Sequence, residues 1–228
     1  PKQSVKLIYS DPPFGRTNQK TDVRIPFAEM WTAIKHVLRP DGVVVLHADD
    51  VFSGELQCSN LEWFRYKWYW VKNRKTGGVN SSKMPMQNVE ELLVFYPKFP
   101  GYNPQMTTGH KPMNNNTRLA KGTNVYGKQT QHKNARAGET TRYPTRIITI
   151  PCVNNDDPLR IHSFQKPEAL GEYIARTYTK RGDTFLDFAA GSCSLGIGGL
   201  RAGCDVICIE KDPEMVSKAK YRWGDMLD

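Results

Sequence analysis

The stretch Val5-Lys6-Leu7-Ile8-Tyr9-Ser10-Asp11-Pro12-Pro13-Phe14-Gly15 is an apolar run that ends in an acid and a proline pair. The apolar residues predict a buried strand. The prolines hold the following loop in one extended shape, because proline fixes φ and restricts the residue before it. Helical spacing over residues 26–38 and a second apolar run at 43–46 come next, so the order is strand, helix, strand. This order is typical of a parallel α/β sheet.

The rest of the chain continues the alternation around a polar stretch. Residues 97 to about 142 are rich in Asn, Gln, Thr, Gly, Lys and Arg, which predicts a loop-rich insertion. We expect an α/β fold with a Rossmann-like, mostly parallel sheet and helices on both faces. Further strands are predicted at 63–71, 91–96, 146–150, 184–188 and 205–210, and further helices at 167–178, at 195–201 and from 213.

The loop after the first strand carries groups suited to an exocyclic base amine. The lone pair of such an amine is delocalised into the ring, and acceptors placed against its N–H bonds return it to nitrogen. Asp11 supplies a carboxylate acceptor, and Pro12 and Pro13 supply carbonyls. Phe14 offers a flat face on which an extruded base can stack, worth about 1–3 kcal/mol. A stiff turn after an ordinary α/β strand is the alternative interpretation.

A second motif predicts a nucleotide-like ligand. Residues 184–196 form a strand, a small-residue turn and a helix start, so the turn exposes backbone amides to a ligand. About 20 residues later Glu210 ends the next strand, where an acid accepts hydrogen bonds from ribose. This pairing favours an adenosine-containing ligand over simple helix–strand packing. Gln165 and Lys166 precede a helix and are suited to the carboxylate of a methionine moiety or to a helix cap.

Composition favours a polyanionic partner. The 228 residues carry a net charge of +9, which is typical of proteins that bind nucleic acid. The five cysteines have no zinc-ligand spacing, so we expect reduced thiols in the cytoplasm, at the nucleoid of a bacterial or phage-infected cell. No apolar stretch is long enough for a membrane span, and no membrane partner is expected.

Together these motifs resemble the permuted beta group of DNA amino-methyltransferases, which modify adenine N6 or cytosine N4. The resemblance rests on residues 11–14, on 162–167 and on 187–196, in the order catalytic loop, target region, cofactor turn. The stretches 70–72, 83–85, 90–96, 102–105 and 142–145 are similar to phage and restriction-type members. The resemblance implies a circularly permuted methyltransferase domain, with residues 1–96 as catalytic half, 97–145 as target-recognition insertion and 146–228 as cofactor half.

The resemblance implies S-adenosylmethionine as cofactor and double-stranded DNA as substrate, and it leaves a homodimer open. The implied catalytic residues are Asp11, Pro12, Pro13 and Phe14. The candidate cofactor residues are Ser10, Asp11, His162, Phe164, Gln165, Lys166, Asp187, Phe188, Ala190, Gly191, Ser192, Glu210 and Asp225. The candidate DNA contacts are Lys72, Arg74, Lys75, Lys111, Arg118, Lys121, Lys128, Lys133, Arg136 and Arg142.

Three functions stay open at this point. The first is transfer of a methyl group to adenine N6 of a flipped base in duplex DNA, and the second is transfer to cytosine N4. The third is a non-catalytic nucleic-acid-binding protein with a degenerate cofactor pocket. It is motivated by Cys193, which stands where the family usually has glycine, and by Phe164, which replaces a threonine. Cysteine restricts φ, so it would weaken cofactor binding if this position needs a positive φ.

Overall fold

The computed structural model describes residues 2–16, 22–113 and 136–224. Strands and helices alternate along most of this part of the chain. The strands are β1 Val5–Ser10, β2 Leu38–Ala48, β3 Phe64–Thr76, β4 Gln87–Phe95, β5 Ile147–Thr149, β6 Thr184–Asp187 and β7 Asp205–Cys208. The helices are α1 Phe27–Val37, α2 Asp50–Ser59, α3 Glu168–Tyr178, α4 Ser194–Arg201 and α5 Pro213–Gly224, with a 3-10 helix at Gly78–Asn80.

These strands form one sheet in the order β5-β3-β4-β2-β1-β6-β7. β4 runs antiparallel to β2 and to β3. The pairs β1 with β2, β1 with β6, β6 with β7 and β3 with β5 are parallel. The prediction of an α/β fold with a mostly parallel sheet is confirmed, and the structure adds that the sheet is mixed.

Helices cover the sheet on both faces, as predicted. Successive side chains of a strand point to opposite faces. Leu7 and Tyr9 of β1 pack with α3 and the start of α4, whereas Ile8 packs with α1 and α2. All three β1 side chains are fully buried. A one-residue slip of β1 would exchange the two sets, so burial on both faces fixes the strand's register.

Two local features differ from the sequence prediction. The second strand was expected at the apolar run 43–46, but β2 already begins at Leu38, directly after α1, and residues 39–42 bulge from its start. The bulge lies between the pairs Val5–Leu38 and Leu7–Val43 of the β1–β2 ladder. Helix α2 was not predicted at all. Its Phe52 and Leu56 are buried against the sheet, so tertiary packing stabilises a segment of modest helix propensity.

The chain forms two compact units. The larger comprises Pro1–Asn103 and Thr145–Asp228, and the smaller comprises Pro104–Pro144. Within the described part of the smaller unit, Thr107 and Arg142 form an antiparallel bridge. Residues 97–103, which the sequence placed in the insertion, belong to the larger unit. No helix among the described residues is both long and apolar enough to cross a membrane.

Helices α3 and α4 pack backbone against backbone, and this contact holds the start of α4 against the sheet. A Cβ added at Gly198 would lie 2.3 Å from the backbone nitrogen of Glu172 and 2.4 Å from the carbonyl oxygen of Glu168. We expect Gly198→Ala to lower the free energy of unfolding by about 1–3 kcal/mol, because the helices must separate. Urea denaturation measures this change.

Gly54→Ala provides the matched control on α2. A Cβ at Gly54 meets no atom within 4 Å. Alanine there should therefore raise the free energy of unfolding by about 0.4–1 kcal/mol, through the lower entropy of the unfolded chain. Equal effects of the two substitutions would show that the close contact between α3 and α4 does not matter for stability.

Candidate active site

The two motifs singled out in the sequence lie side by side in the structure. β1 and β6 are adjacent and parallel, with Leu7 opposite Phe185 and Ile8 opposite Leu186. Their carboxyl ends therefore meet at one edge of the sheet, where ligands bind in open α/β sheets. The loop after β1 and the turn after β6 line one cavity of about 870 Å³.

Ser10 and Asp187 join the two motifs beneath this cavity. The Ser10 hydroxyl donates a hydrogen bond of 2.6 Å to Oδ1 of Asp187. The backbone N–H of Ala189 donates to both Ser10 Oγ, at 3.1 Å, and Asp187 Oδ1, at 3.2 Å. Ser10, predicted as a cofactor contact, is fully buried and fixes the position of Asp187.

Asp187 lines the cavity and has a strongly raised pKa. Burial raises the pKa of Asp187 to about 7, and the negative charges of Asp11 and Glu210 add to this effect. The hydrogen bonds from Ser10 and Ala189 oppose it but are outweighed. Asp187 therefore exchanges its proton close to neutral pH, and a cation bound nearby would favour the ionised carboxylate.

The turn after β6 has the backbone of a ligand-binding loop. Gly191 has a φ of 50°, lines the cavity, and a Cβ added to it would meet no atom within 4 Å. Cys193 has a φ of 58° and precedes the first residue of α4. Cys193, which stands where the family usually has glycine, thus does adopt the left-handed conformation. Cys193 is accommodated there, buried beside Ala190 and Ala219.

Glu210 connects the end of β7 to this turn. Its carboxylate accepts a hydrogen bond of 2.7 Å from the Gly191 N–H and one of 3.0 Å from the Asp212 N–H. Phe188, Ala190, Ser192 and Ile209 line the same part of the cavity. The structure thus brings together the predicted cofactor residues of the β6 turn and the predicted ribose-binding acid.

The loop before α3 lies on the other side of the cavity, where His162, Phe164, Gln165 and Lys166 all line the wall. The Gln165 side chain is buried and holds the loop, because it accepts from the Ile161 N–H and donates to the Leu159 carbonyl. Burial lowers the pKa of His162. The Phe164 side chain is exposed.

Lys166 does not project freely into the cavity. Its ammonium lies 2.7 Å from Oδ2 of Asp11 and 3.0 Å from Oε1 of Glu90, and its side chain is 13% exposed. The loop that begins at Asp11 and the loop before α3 are therefore joined by an ion pair. The sequence prediction that Lys166 binds a carboxylate is compatible with its chemistry, but the carboxylates it contacts here belong to the chain itself.

Behind Glu90 lie buried polar residues that the sequence prediction missed. Nδ1 of His47 contacts Oε1 of Glu90, and Nε2 of His47 lies 2.9 Å from the hydroxyl of Tyr9. His47 and Tyr9 are fully buried. The available signal was a histidine directly after the apolar run 43–46 and a glutamate shortly before the apolar run 92–95. Lys72, predicted as a DNA contact, lies 3.3 Å from Oε2 of Glu90 and lines the cavity.

The loop that follows β1 is held by aromatic packing and by the carboxylate of Asp22. The Phe14 ring stacks on Phe52 with 4.7 Å between ring centroids and 23° between planes, and Phe14 also lines the cavity. The backbone N–H groups of Gly15 and Arg16 donate to the two oxygens of Asp22, each at 2.8 Å. One face of Phe14 is thus covered by the ring of Phe52.

The remaining predicted DNA contacts are dispersed. Arg74 donates to Oδ1 of Asn155 at 2.6 Å, and Lys75 and Lys111 are exposed. In the smaller unit Arg136 pairs with Glu139, and Arg142 donates to the carbonyl oxygen of Lys111. Five predicted residues lie outside the described part of the chain: Arg118, Lys121, Lys128, Lys133 and Asp225.

The fold and the cavity define the class of the protein. A mostly parallel sheet covered on both faces, with a glycine turn after β6 and an acid after β7, is a doubly wound type of α/β fold that suits a nucleotide-like ligand. The chain belongs to the DNA methylase family of N6 and N4 methyltransferases, whose family model matches residues 5–221. The resemblance noted in the sequence is confirmed.

Solved structures share this fold at low sequence identity. PvuII DNA methyltransferase, described as cytosine-N4-specific, is 18% identical with a TM-score of 0.66, covering 98% of this chain and 80% of that one. M1.HpyAVI in complex with SAM is 20% identical with a TM-score of 0.64, covering 96% and 88%. TTHA0409 from Thermus thermophilus is 19% identical with a TM-score of 0.61, covering 99% and 88%.

Proposed function

We propose that this chain transfers a methyl group from S-adenosylmethionine to N6 of an adenine flipped out of duplex DNA. The observation that carries the proposal is the cavity shared by the Asp11–Phe14 loop and the β6 turn. Membership of the DNA methylase family supports methyl transfer to DNA. The choice of adenine rests on the resemblance of residues 11–14, and cytosine N4 is the alternative.

The residues around the β6 turn fit the proposed cofactor. Gly191 leaves open space where other residues carry a side chain, so a ligand can approach the backbone closely. Glu210 would accept hydrogen bonds from ribose hydroxyls, and Phe188 and Ile209 offer apolar surface to an adenine ring. When bound, the cofactor supplies a methyl group on a positively charged sulfur. The permuted order of the domain is part of the proposal.

On the substrate side the chain provides acceptors and a stacking surface. Oδ2 of Asp11 is bonded to Lys166, so we assign Oδ1 of Asp11 and the carbonyl of Pro12 to the N–H bonds of the target amine. These acceptors return the lone pair to nitrogen and stabilise the positive charge that develops there. Phe14 would stack on the base while Pro12 and Pro13 keep the loop rigid. Exposed Lys75 and Lys111 are proposed phosphate contacts.

The direct test identifies the methylated base. The purified protein is incubated with S-adenosylmethionine carrying a tritiated methyl group and with DNA of mixed sequence, and the DNA is digested to nucleosides. We expect label in N6-methyladenine. Label in N4-methylcytosine would establish the alternative, and cofactor binding without transfer to any DNA would support the non-catalytic protein. Methylation-sensitive sequencing of an expressing host's genome then gives the sequence context.

The pH dependence of cofactor affinity tests the assignment of Asp187. The cofactor's sulfonium is a cation, and Asp187, with its pKa raised to about 7 mainly by burial, lines the cavity. Cation binding favours the ionised carboxylate, so affinity should rise about tenfold between pH 6 and pH 8, with release of a proton. Isothermal titration in buffers of different ionisation enthalpy measures both quantities.

Asp187→Asn is the control for this prediction. His162 also lines the cavity, and its loss of a proton with rising pH would favour a cation as well. A rise of cofactor affinity with pH that persists in Asp187→Asn is due to His162. If the substituted protein keeps the full tenfold dependence, the proposed role of Asp187 is wrong.

A further inference from the structure

We infer that Lys166 and Glu90, supported by His47 and Tyr9, form a buried network that positions Asp11 for the target amine. Lys166 is then a positioning residue of the catalytic loop, and its ammonium is not the ligand of the cofactor carboxylate. This inference rests on the proposed function and deepens it. It departs from the prediction, made from the position of Lys166 before a helix, that this residue binds the methionine carboxylate.

The network runs without interruption from the sheet to the cavity. Tyr9, His47 and Glu90 come from the adjacent strands β1, β2 and β4. The hydroxyl of Tyr9 lies 2.9 Å from Nε2 of His47, and their rings stack with 5.3 Å between centroids. Nδ1 of His47 contacts Glu90, whose Oε1 lies 3.0 Å from the Lys166 ammonium. Lys166 then reaches Asp11 Oδ2 at 2.7 Å.

Each member of the network is held from more than one side. His47 is fully buried, and the Trp70 ring lies edge-on to it with 6.3 Å between centroids. Glu90 is 10% exposed and has Lys72 at 3.3 Å from its second oxygen. A side chain bonded in this way has little rotamer freedom. The position of the Lys166 ammonium, and with it that of Asp11, is therefore set by three strands of the sheet.

Lys166 and Glu90 keep their charges at neutral pH. Burial alone would lower the pKa of Lys166, but the negative charges of Asp11 and Glu90 outweigh it and raise the pKa. Burial alone would raise the pKa of Glu90, but the positive charge of Lys166 and the contact with His47 hold it well below its usual range. Lys166 thus keeps its proton and acts as a fixed hydrogen-bond donor.

Two other roles for these residues fit the contacts less well. A methionine carboxylate at Lys166 would either displace Asp11 or Glu90 or add a third anion to one ammonium. Asp11, His47 and Glu90 also place potential metal ligands within 4.8 Å of one another. The ammonium of Lys166 already bonds both carboxylates of this group, so the chain supplies the cation itself.

Stability alone does not explain such a network. Burying two carboxylates and an ammonium costs solvation, and apolar residues of similar volume often stabilise a protein equally well. The network ends at Asp11, which lines the cavity. A displacement of about 1 Å at a reacting group can cost 10²-fold in rate. Fixing Asp11 is therefore the function that this arrangement serves.

Lys166→Met and Glu90→Gln test the inference, with Lys67→Met as matched control. Lys67 forms a similar half-buried pair, 2.9 Å from Glu91, but lies outside the residues that line the cavity. For each protein we would measure kcat, KM for DNA, thermal stability, and the Kd for S-adenosylhomocysteine, which carries the same carboxylate as the cofactor. The control should leave kcat within about twofold of the original value.

We expect Lys166→Met to lower kcat about 10²-fold while the Kd for S-adenosylhomocysteine changes less than threefold. Glu90→Gln, which keeps the side-chain shape, should lower kcat about tenfold with unchanged Kd, and it decides the question if Lys166→Met does not fold. A Kd weakened tenfold or more with kcat preserved at saturation would overturn the inference and make Lys166 the carboxylate ligand. Unchanged kcat in both variants would overturn it too.

The proposed function fails by a different result. If the original protein transfers no methyl group to any DNA, the enzyme proposal is wrong. If it is active and Lys166→Met and Glu90→Gln are equally active, only the positioning network is wrong.

Discussion

Asp11→Asn is expected to lower kcat on the order of 10³-fold, because it removes a charged acceptor aimed at the developing positive charge on the amine. Asparagine has nearly the same shape and leaves Lys166 bonded to Glu90, so the loop should keep its conformation. The Kd for DNA and the Kd for S-adenosylhomocysteine should change little. Single-turnover transfer of a tritiated methyl group measures the chemical step.

Asp41→Asn is the matched control for Asp11→Asn. Asp41 also pairs with a lysine, at 3.0 Å from Lys6, but near the opposite end of β1. This substitution should leave kcat within about twofold, although it removes a partner of Lys6 and Arg39. Turnover by Asp11→Asn equal to that of Asp41→Asn would refute the catalytic role of Asp11.

Arg222→Met is expected to lower the free energy of unfolding by about 3 kcal/mol. Arg222 of α5 is 4% exposed, contacts Glu168 of α3, and donates to the Ser192 carbonyl at 3.0 Å and to Ser194 Oγ at 2.9 Å. Removing one partner of a buried ion pair typically costs about 3–5 kcal/mol. We expect the lower end of this range because Arg201, 2.6 Å from Glu168, still pairs with that carboxylate after the substitution.

The same substitution should weaken cofactor binding, since Ser192 belongs to the turn that would hold the cofactor. Lys218→Met on the same helix is the control for the change in stability only, because Lys218 lines the cavity. Lys218 forms an exposed pair with Glu214, 2.7 Å apart, and such pairs contribute little to stability. Urea denaturation compares the two. A loss below about 1 kcal/mol for Arg222→Met would show that α5 is not anchored through this residue.

The main elements of the fold were predictable from sequence because they depend on local patterns. The apolar run ending in Tyr9 gave β1, and helical spacing after Pro26 gave α1, within one or two residues of its observed ends. Helix α2 was not predictable in this way, since a glycine and two serines weaken its propensity and only its packing against the sheet stabilises it.

Some residues of the candidate site were also predictable from local sequence patterns, and others were not. Asp11, Gly191 and Glu210 follow strands and so were found as polar or small residues in a recognisable context. His47 and Glu90 lie within strands and face the interior, where a polar residue gives no periodic signal of its own. The pairing of Lys166 with Asp11 joins residues far apart in the chain, and no local pattern predicts it.

The sequence by itself determined the α/β class, the loop with its acceptors, the turn with its acid, and the family resemblance, because strand burial and loop stiffness are properties of short segments. Only the tertiary structure decided which polar groups meet. The parallel pairing of β1 with β6 and the reversed direction of β4 bring Asp11, Asp187 and Glu90 to one cavity. Burial there raises the pKa of Asp187, the positive charge of Lys166 holds the pKa of Glu90 low against the effect of burial, and the ion pair joins Lys166 to Asp11.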